Sequence, residues 1–207
     1  MNRRLGVLVS GRGSNLQALI DATRDGRLDA TIAVVISNRA DAAGLERAQR
    51  AGIDALCLDH RASASRDEHD RAVVRELRVR DVGLVCLAGY MRLIGAPLLE
   101  AFPNAILNVH PSLLPAFPGV NAPSQALEHG VKVTGVTVHL VNAELDNGPI
   151  VIQRTVQVMG DDTPDTLIAR ILVEEHRAYA EAVGIVLEGG WQVEGRRFVR
   201  SGNAAQE

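Results

Sequence analysis

Lysine, cysteine and aromatic residues are scarce in this sequence of 207 residues. Of its 22 basic residues only Lys132 is a lysine, so the other 21 are arginines. The two cysteines, Cys57 and Cys86, each lie in an apolar run and lack the spacing of a metal site. No apolar run approaches the roughly 20 residues that cross a bilayer, and the first residues lack the pattern of a signal peptide. We therefore predict a globular protein of the reducing cytoplasm, without a metal and without a membrane-spanning segment.

The charge balance argues against a nucleic-acid partner. The net charge is −3, whereas a protein that binds nucleic acid through its bulk charge is strongly basic. Hydrophobic residues make up 46% and charged residues 23% of the chain, as in an ordinary globular domain. The arginine excess has two explanations. It is either a bias of composition, or it includes arginines that grip carboxylate or phosphate through paired hydrogen bonds.

The first half of the chain alternates strand-like and helix-like segments. Four continuous apolar runs predict strands buried on both faces: Leu5–Val9, Thr31–Ile36, Asp54–Leu58 and Val82–Leu87. Apolar residues at helical spacing predict three helices between them: Leu16–Thr23, Ala42–Ala51 and Asp67–Val79. A repeated β-α-β order predicts a parallel sheet with right-handed crossovers.

The second half changes character after a fifth predicted strand, Ala105–Asn108. Residues 111–119 are too rich in proline for a helix or the interior of a sheet. A helix is predicted from Thr163 to about Val183, with a bend near Gly184. The further predicted strands are Lys132–Val141, Pro149–Val158 and the two arms of a hairpin over Trp191–Arg200. These patterns predict an α/β fold: a doubly wound, mostly parallel twisted sheet with flanking helices, and antiparallel strands added in the C-terminal half.

A glycine-rich loop, Ser10 to Leu16, follows the first predicted strand. Gly11 and Gly13 let main-chain N–H groups turn towards a ligand, and the start of the next helix favours a negative charge. The loop lacks the third glycine of the dinucleotide fingerprint and the Gly-Lys-Ser/Thr of a Walker loop. From the spacing alone, a phosphate site and a plain tight turn explain it equally well.

Asn108 and His110 lie two residues apart at the end of the fifth predicted strand. In an extended chain they face the same side, and Pro111 biases His110 towards that geometry. An amide donor beside an imidazole suits stabilisation of an oxyanion or transfer of a proton. The alternative is an asparagine that caps a turn and a histidine packed on the prolines.

Asp146 lies in the sequence Asp-Asn-Gly, which by default indicates a turn. If that loop folds over the same edge of the sheet, the Asp146 carboxylate pairs with His110 and keeps the imidazole charged. The remaining histidines carry less information, and His139 is merely one residue of an alternating strand. No histidine pair has a zinc spacing.

Four segments taken together resemble a known family. They are 10–17 (Ser-Gly-Arg-Gly-Ser-Asn-Leu-Gln), 87–92 (Leu-Ala-Gly-Tyr-Met-Arg), 108–115 (Asn-Val-His-Pro-Ser-Leu-Leu-Pro) and 145–149 (Leu-Asp-Asn-Gly-Pro). Their order and spacing resemble those of the phosphoribosylglycinamide formyltransferases, folate-dependent enzymes of purine biosynthesis. The third segment belongs to the wider formyltransferase superfamily, whereas the first is narrower and favours this family. The resemblance runs from residue 5 to about residue 185.

The resemblance implies transfer of a formyl group from the co-substrate 10-formyltetrahydrofolate to the amine of glycinamide ribonucleotide, without a covalent enzyme intermediate. His110 would be the charged acid that stabilises and protonates the tetrahedral oxyanion. Asn108 would donate a second hydrogen bond to that oxygen, and Asp146 would raise the pKa of His110. A single formyltransferase domain over 1–207 would comprise a phosphate-binding half, 1–103, and a catalytic and folate-binding half, 104–207.

The resemblance also implies the residues that contact the two small-molecule substrates. For the ribonucleotide these are Gly13, Ser14 and Asn15 at the phosphate and Glu175 at the ribose hydroxyls. For the folate they are Arg66 near the glutamyl tail, Met91, Arg92, Leu93 and Ile94 along the pterin pocket, and Asn108. The 142–146 loop would close over the pterin.

This sequence departs from the family at two positions. The 120–125 loop lacks the histidines that many members have there, and Arg12 replaces a smaller residue and could add a phosphate contact. The family also makes the Leu114–Pro115 peptide bond a candidate for the cis form. The alternatives are a formyltetrahydrofolate hydrolase, another formyl-folate transferase, or a binding module that keeps the fold without catalysis. The expected assembly is a monomer or a weak homodimer.

Overall fold

The computed structural model describes residues 2–201, in which nine strands form one sheet. The strands are β1 Arg4–Val9, β2 Thr31–Ser37, β3 Ala55–Cys57, β4 Leu84–Leu87, β5 Ile106–His110, β6 Val133–Leu140, β7 Ile150–Gln157, β8 Trp191–Glu194 and β9 Arg197–Arg200. Their order across the sheet is β3-β2-β1-β4-β5-β6-β7-β9-β8. Of the predicted domain 1–207, residue 1 and residues 202–207 lie outside the described residues.

Helices pack against this sheet between the strands. They are α1 Ser14–Arg24, α2 Ala43–Arg50, α3 Arg66–Val79, α4 Ala96–Ala101, α5 Ala122–Glu128 and α6 Pro164–Glu188, with a short 3₁₀ turn at His60–Ala62. Helix α1 contacts both α2 and α6, whereas α3 contacts α4. Of the helices that residues 2–201 form, none combines the length and the apolar character that spanning a membrane requires.

The predicted fold class is confirmed. Strands β1 to β5 pair in parallel in the order of a doubly wound sheet, and β6 adds to β5 in the antiparallel sense. Strand β1 lies inside this parallel part, and its residues 5–9 are buried as a continuous apolar run predicts. The chain leaves β1, β4 and β5 at the same edge of the sheet, which is where open α/β sheets bind ligands.

The end of α6 differs from the prediction. The helix passes Gly184 without ending and continues to Glu188. Val183, Val186 and Leu187 around and beyond the glycine are buried. Their packing outweighs the roughly 1 kcal/mol that a glycine costs inside a helix.

Two short helices were not predicted. Helix α4 has six residues and α5 has seven, too few to show an apolar period. Each has a proline in its first turn, where the missing N–H costs no helical hydrogen bond. As a consequence, residues 122–125 of the segment predicted as a loop are helical, and only Val120 and Asn121 precede the helix.

Candidate active site

The structure brings Asn108, His110 and Asp146 to one place at the carboxyl end of β5. His110 Nδ1 lies 3.4 Å from Asp146 Oδ2, and the two side chains are only 6% and 7% exposed. Asn108 lies two residues before His110 on the same strand, and its neighbours in the sheet are Leu87 of β4 and His139 of β6. The 142–146 loop therefore folds over the same edge of the sheet, as pairing of Asp146 with His110 requires.

The path of the loop between β6 and β7 determines where Asp146 lies. The chain returns close to β6, so that Leu140 N donates to Pro149 O at 2.9 Å. Gly148 packs directly on the carbonyl of Leu140, and a Cβ at this position would overlap that oxygen. Asp146 itself has φ 50°, a left-handed conformation that aspartate tolerates better than most residues. The Asp-Asn-Gly turn thus delivers its first residue to the site.

Both ring nitrogens of His110 face oxygen atoms. Nε2 lies 2.8 Å from the carbonyl oxygen of Phe117, and Nδ1 faces Asp146. A carbonyl and a carboxylate only accept, so an imidazole with a proton on each nitrogen satisfies both partners. Phe117 has φ 53°, which is strained for a bulky residue and occurs mostly at functional sites. That conformation lets its carbonyl accept from both His110 and Ser112.

The surroundings of Asp146 favour its charged form. Burial alone would raise the pKa of its carboxyl group, but contact with His139, a hydrogen bond from Gly119 N and attraction by His110 outweigh burial and lower that pKa. Gly119 N donates to Asp146 Oδ2 at 2.8 Å. The site therefore holds a buried carboxylate between a main-chain N–H and two imidazoles.

His139 is a site residue that the sequence did not single out. It is 2% exposed, and its Nε2 lies 3.2 Å from Asn108 Nδ2 and 3.7 Å from Asp146 Oδ1. The β5–β6 register puts it directly opposite Asn108, next to a register shift between Val138 and His139. The sequence showed that residues of β6 alternate between the two faces of a strand. It did not show the pairing of β6 with β5 that places His139 opposite Asn108.

The glycine-rich loop leads into the start of α1. Gly13 has φ 71° and precedes the first helical residue, Ser14. No side chain within the described residues caps this end, and its first turn has no acidic residue. Gly13 also packs against Gly44 of α2, and a Cβ on it would lie 2.7 Å from Gly44 Cα. Arg12 is exposed, and its carbonyl accepts from Arg47 Nε at 2.8 Å.

Asn15 and Glu175 meet beside this loop although 160 residues separate them. Asn15 Nδ2 donates to Glu175 Oε2 at 2.8 Å, and both side chains are buried. Burial raises the pKa of Glu175, and the hydrogen bond from Asn15 offsets this only in part. Asn15 Oδ1 is also buried and has no hydrogen-bond partner among residues 2–201, so it is free to bind a donor from a ligand.

The 91–94 segment follows β4 and lies next to the glycine-rich loop. Met91 N donates to Ser10 Oγ at 2.8 Å, and Ser10 Oγ in turn donates to Asn38 Oδ1 at 2.5 Å. Met91 is 72% and Leu93 56% exposed, so both present apolar surface beside the site. Ile94, in contrast, packs against the core.

Helix α3 supports the same segment from the other side. Asp70 Oδ2 accepts from Gly95 N at 2.6 Å, and the side chain of Arg66 lies against Gly95. Burial raises the pKa of Asp70, while the Gly95 N–H and the charges of Arg92 and Arg66 oppose this shift. The charges of Arg66 and Arg92 thus both act on Asp70, next to the 91–94 segment.

Two further observations bear on the sequence predictions. The Leu114–Pro115 peptide bond is cis, as the family resemblance suggested. No three His, Cys, Asp or Glu side chains are grouped as a metal site requires, in the part of the chain from residue 2 to residue 201.

The chain is similar to known proteins both in sequence and in structure. Residues 3–183 match the formyl transferase family. The phosphoribosylglycinamide formyltransferase of Escherichia coli (strain K12) is 40% identical over 97% of this chain and 98% of its own length. A glycinamide ribonucleotide transformylase 1 from Symbiobacterium toebii superposes with a TM-score of 0.94 and 58% identity, over 95% of this chain and 93% of that one.

Longer relatives contain a similar region. The trifunctional purine biosynthetic protein adenosine-3 of Homo sapiens is 46% identical over 92% of this chain. The chain spans only 19% of the length of that protein and 14% of the length of its Drosophila melanogaster counterpart. The resemblance that the four sequence segments indicated is confirmed by these matches.

Proposed function

The chain belongs to the formyl transferase family, and from this we propose that it transfers the formyl group of 10-formyltetrahydrofolate to the amine of glycinamide ribonucleotide. The product is formylglycinamide ribonucleotide, an intermediate of purine biosynthesis. The similarity to the phosphoribosylglycinamide formyltransferase of Escherichia coli over nearly its whole length supports this choice of substrates. The observation that carries it is the grouping of Asn108 with the buried side chains of His110 and Asp146, which suits direct transfer through a tetrahedral intermediate.

In the proposed reaction the substrate amine attacks the formyl carbon. The new C–N bond forms as the carbonyl oxygen becomes an oxyanion, and the bond to N10 of the folate then breaks. The amine loses a proton and N10 gains one. Asn108 donates to the oxyanion through Nδ2, and charged His110 donates to it and protonates it in the intermediate. His110 takes this proton back as the carbonyl re-forms and the bond to N10 breaks. Such donors are typically worth about 3–4 kcal/mol of barrier each.

The geometry supports a charged His110 in this role. Its Nε2 proton is held by the Phe117 carbonyl, so the proton on Nδ1 is the one available on the side of Asp146. The carboxylate favours the charged imidazole by attraction. At 3.4 Å the Nδ1–Oδ2 contact is longer than a good hydrogen bond, as is common before substrate binds.

We assign the ribonucleotide to the loop at the start of α1. Uncapped N–H groups at Gly13, Ser14 and Asn15, together with the positive end of the helix, suit a phosphate. Glu175 and the unpaired oxygen of Asn15 lie beside them and suit the ribose hydroxyls. Arg12 is exposed at the same loop and is free to add a contact to the phosphate.

We assign the folate to the neighbouring segment. Met91, Arg92, Leu93 and Ile94 would line the pterin pocket, with Asn108 at its inner end and Arg66 towards the glutamyl tail. Exposed Met91 and Leu93 offer apolar contacts, and Arg66 and Arg92 offer positive charge to a carboxylate. The 142–146 loop would close over the pterin.

The organisation of the whole chain is part of this proposal. We take residues 1–103 as the phosphate-binding half and residues 104–207 as the catalytic and folate-binding half of a single domain. A monomer or weak homodimer, a cytoplasmic location and the absence of a nucleic-acid partner are the predictions that accompany it.

A transfer assay tests the function. The purified chain is incubated with 10-formyltetrahydrofolate, with and without glycinamide ribonucleotide, and tetrahydrofolate, formate and formylated product are measured. We expect tetrahydrofolate and formylated product only when the ribonucleotide is present. Formate released without ribonucleotide would instead identify a formyltetrahydrofolate hydrolase, and no turnover would leave a binding module.

A further inference from the structure

We propose that His139 is a positioning residue, whose neutral imidazole accepts a hydrogen bond from Asn108 Nδ2 and thereby fixes the Asn108 amide with its second N–H available to the reacting oxygen. The proposal rests on the proposed function for the identity of that oxygen. Its structural basis is the contact of 3.2 Å between Nε2 of the buried His139 and Nδ2 of the half-buried Asn108.

The proton positions follow from the other ring nitrogen. His139 Nδ1 lies 3.0 Å from the carbonyl oxygen of Leu140, which can only accept, so Nδ1 carries a proton. In a neutral ring Nε2 then has a lone pair, and the group facing it must be a donor. The Asn108 amide satisfies this when its NH₂ group points to His139. Turning the amide over would bring two acceptors together, so the neutral ring selects one orientation of Asn108.

The surrounding backbone holds the imidazole in place. Asn108 and His139 are directly opposite one another in the antiparallel pair of β5 and β6. Gly148 packs behind the ring, where a Cβ would lie 3.3 Å from His139 Nδ1. The ring contacts the Leu140 carbonyl and the main chain of Gly148 on one side and Asn108 on the other. These contacts fix its position, so that it can orient the amide of Asn108.

The nearby charges determine what protonation of His139 would change. The titratable groups that face His139 are Asp146, at 3.7 Å from its Nε2, and His110 on the other side of that carboxylate. A protonated His139 would donate to Asp146 and compete with His110 for it. It would also be unable to accept from Asn108. Protonation of His139 would therefore free Asn108 from this orientation and weaken the pairing of His110 with Asp146.

Two substitutions and a double variant test the proposal. His139→Leu removes the acceptor at similar size, and His139→Gln restores one, because the glutamine Oε1 can accept from Asn108 Nδ2. We expect His139→Leu to lower kcat about tenfold with KM for both substrates within twofold, less than the 10²–10³-fold that loss of a whole oxyanion donor costs. We expect His139→Gln to recover most of that loss.

A comparison of Asn108→Ala with the double variant Asn108→Ala/His139→Leu distinguishes a positioning role of His139 from a general disturbance of the site. If His139 acts through Asn108, adding His139→Leu to Asn108→Ala changes kcat by less than twofold. Multiplication of the two single losses in the double variant would overturn the proposal, and so would a His139→Gln variant as slow as His139→Leu. Thermal unfolding of each variant identifies any that lose the fold.

The side-chain amide signals of Asn108 in nuclear magnetic resonance give a readout that does not depend on turnover. We expect two resolved, exchange-protected N–H signals in the unmodified chain and in His139→Gln, and loss of that protection in His139→Leu. Equal signals in all three proteins would overturn the proposed contact. A chain that shows the contact but transfers no formyl group would contradict the proposed function alone.

Discussion

In the parallel half of the sheet, the proposed phosphate site offers mainly main-chain N–H groups at the start of α1. Where the parallel and antiparallel parts meet, the proposed reacting groups are side chains of β5 and of the 142–146 loop. The first kind of site depends on backbone shape, so it is sensitive to glycine replacement and tolerant of most side-chain changes. The second depends on particular side chains held in contact with one another, at 3.2 to 3.7 Å. We therefore expect glycine replacement at the first site to change mainly KM, and side-chain replacement at the second to change mainly kcat.

Removal of the buried carboxylate should give the largest effect. In Asp146→Ala the imidazole of His110 loses its anionic partner, and we expect kcat to fall on the order of 10²–10³-fold, as when a donor to the oxyanion is lost. Steady-state kinetics with both substrates measures this. The matched control is Asp29→Ala, an exposed aspartate paired with Arg3, which should leave kcat unchanged. Near-normal turnover in purified Asp146→Ala would refute the mechanism.

A methyl group in the glycine-rich loop should act on substrate binding instead. Gly13→Ala must adopt a left-handed φ and also displace Gly44, whereas Gly26→Ala has the same φ problem with open space around it. We expect both to lose about 1–2 kcal/mol of stability from the backbone strain, and Gly13→Ala about 1–3 kcal/mol more from overpacking.

Kinetics then separates the two glycines. We expect KM for the ribonucleotide to rise about tenfold in Gly13→Ala alone, or about 1.4 kcal/mol of binding, because its N–H groups move away from the phosphate. Gly26→Ala should keep the normal KM. Equal KM values in the two variants would mean that the loop does not bind the ribonucleotide.

Ser10 joins the two proposed substrate sites, so its loss should affect both of them. In Ser10→Ala the half-buried N–H of Met91 loses its acceptor, which costs about 0.5–1.5 kcal/mol. We expect KM to rise severalfold for the folate and by a smaller factor for the ribonucleotide, with little change in kcat. A change confined to one substrate would show that the two sites are independent.

The smallest expected effect is a pH dependence at Glu175. Because burial raises its pKa, the folded chain holds this proton more tightly than the unfolded chain, so its contribution to stability falls as pH rises above the ordinary range of a glutamate. Glu175→Gln cannot ionise and keeps an acceptor for Asn15. We measure the free energy of unfolding by urea titration. As the pH rises from 4.5 to 8, that of the variant should therefore increase relative to that of the unmodified chain. A constant difference over this range would contradict the prediction.

The sequence predicted the parallel half well, because each of its strands is a local apolar run between clear helix signals. Asn108 and His110 were also within reach, since two residues on one strand need no knowledge of the rest of the fold. The contacts of His139 with Asn108 and of Ser10 with Met91 were not. The first depends on strand register and the second joins residues 81 positions apart, and both are set by tertiary packing.

Asp146 also ties three segments of chain together. Its carboxylate accepts from Gly119 N in the proline-rich segment and faces the imidazoles of two strands, although it belongs to a loop. Any outward movement of that loop withdraws all of these partners at once. In the proposed mechanism, a loop that moved outward to admit the folate would leave His110 without its carboxylate, so the acid would be ready for transfer only once the loop had returned over the bound co-substrate.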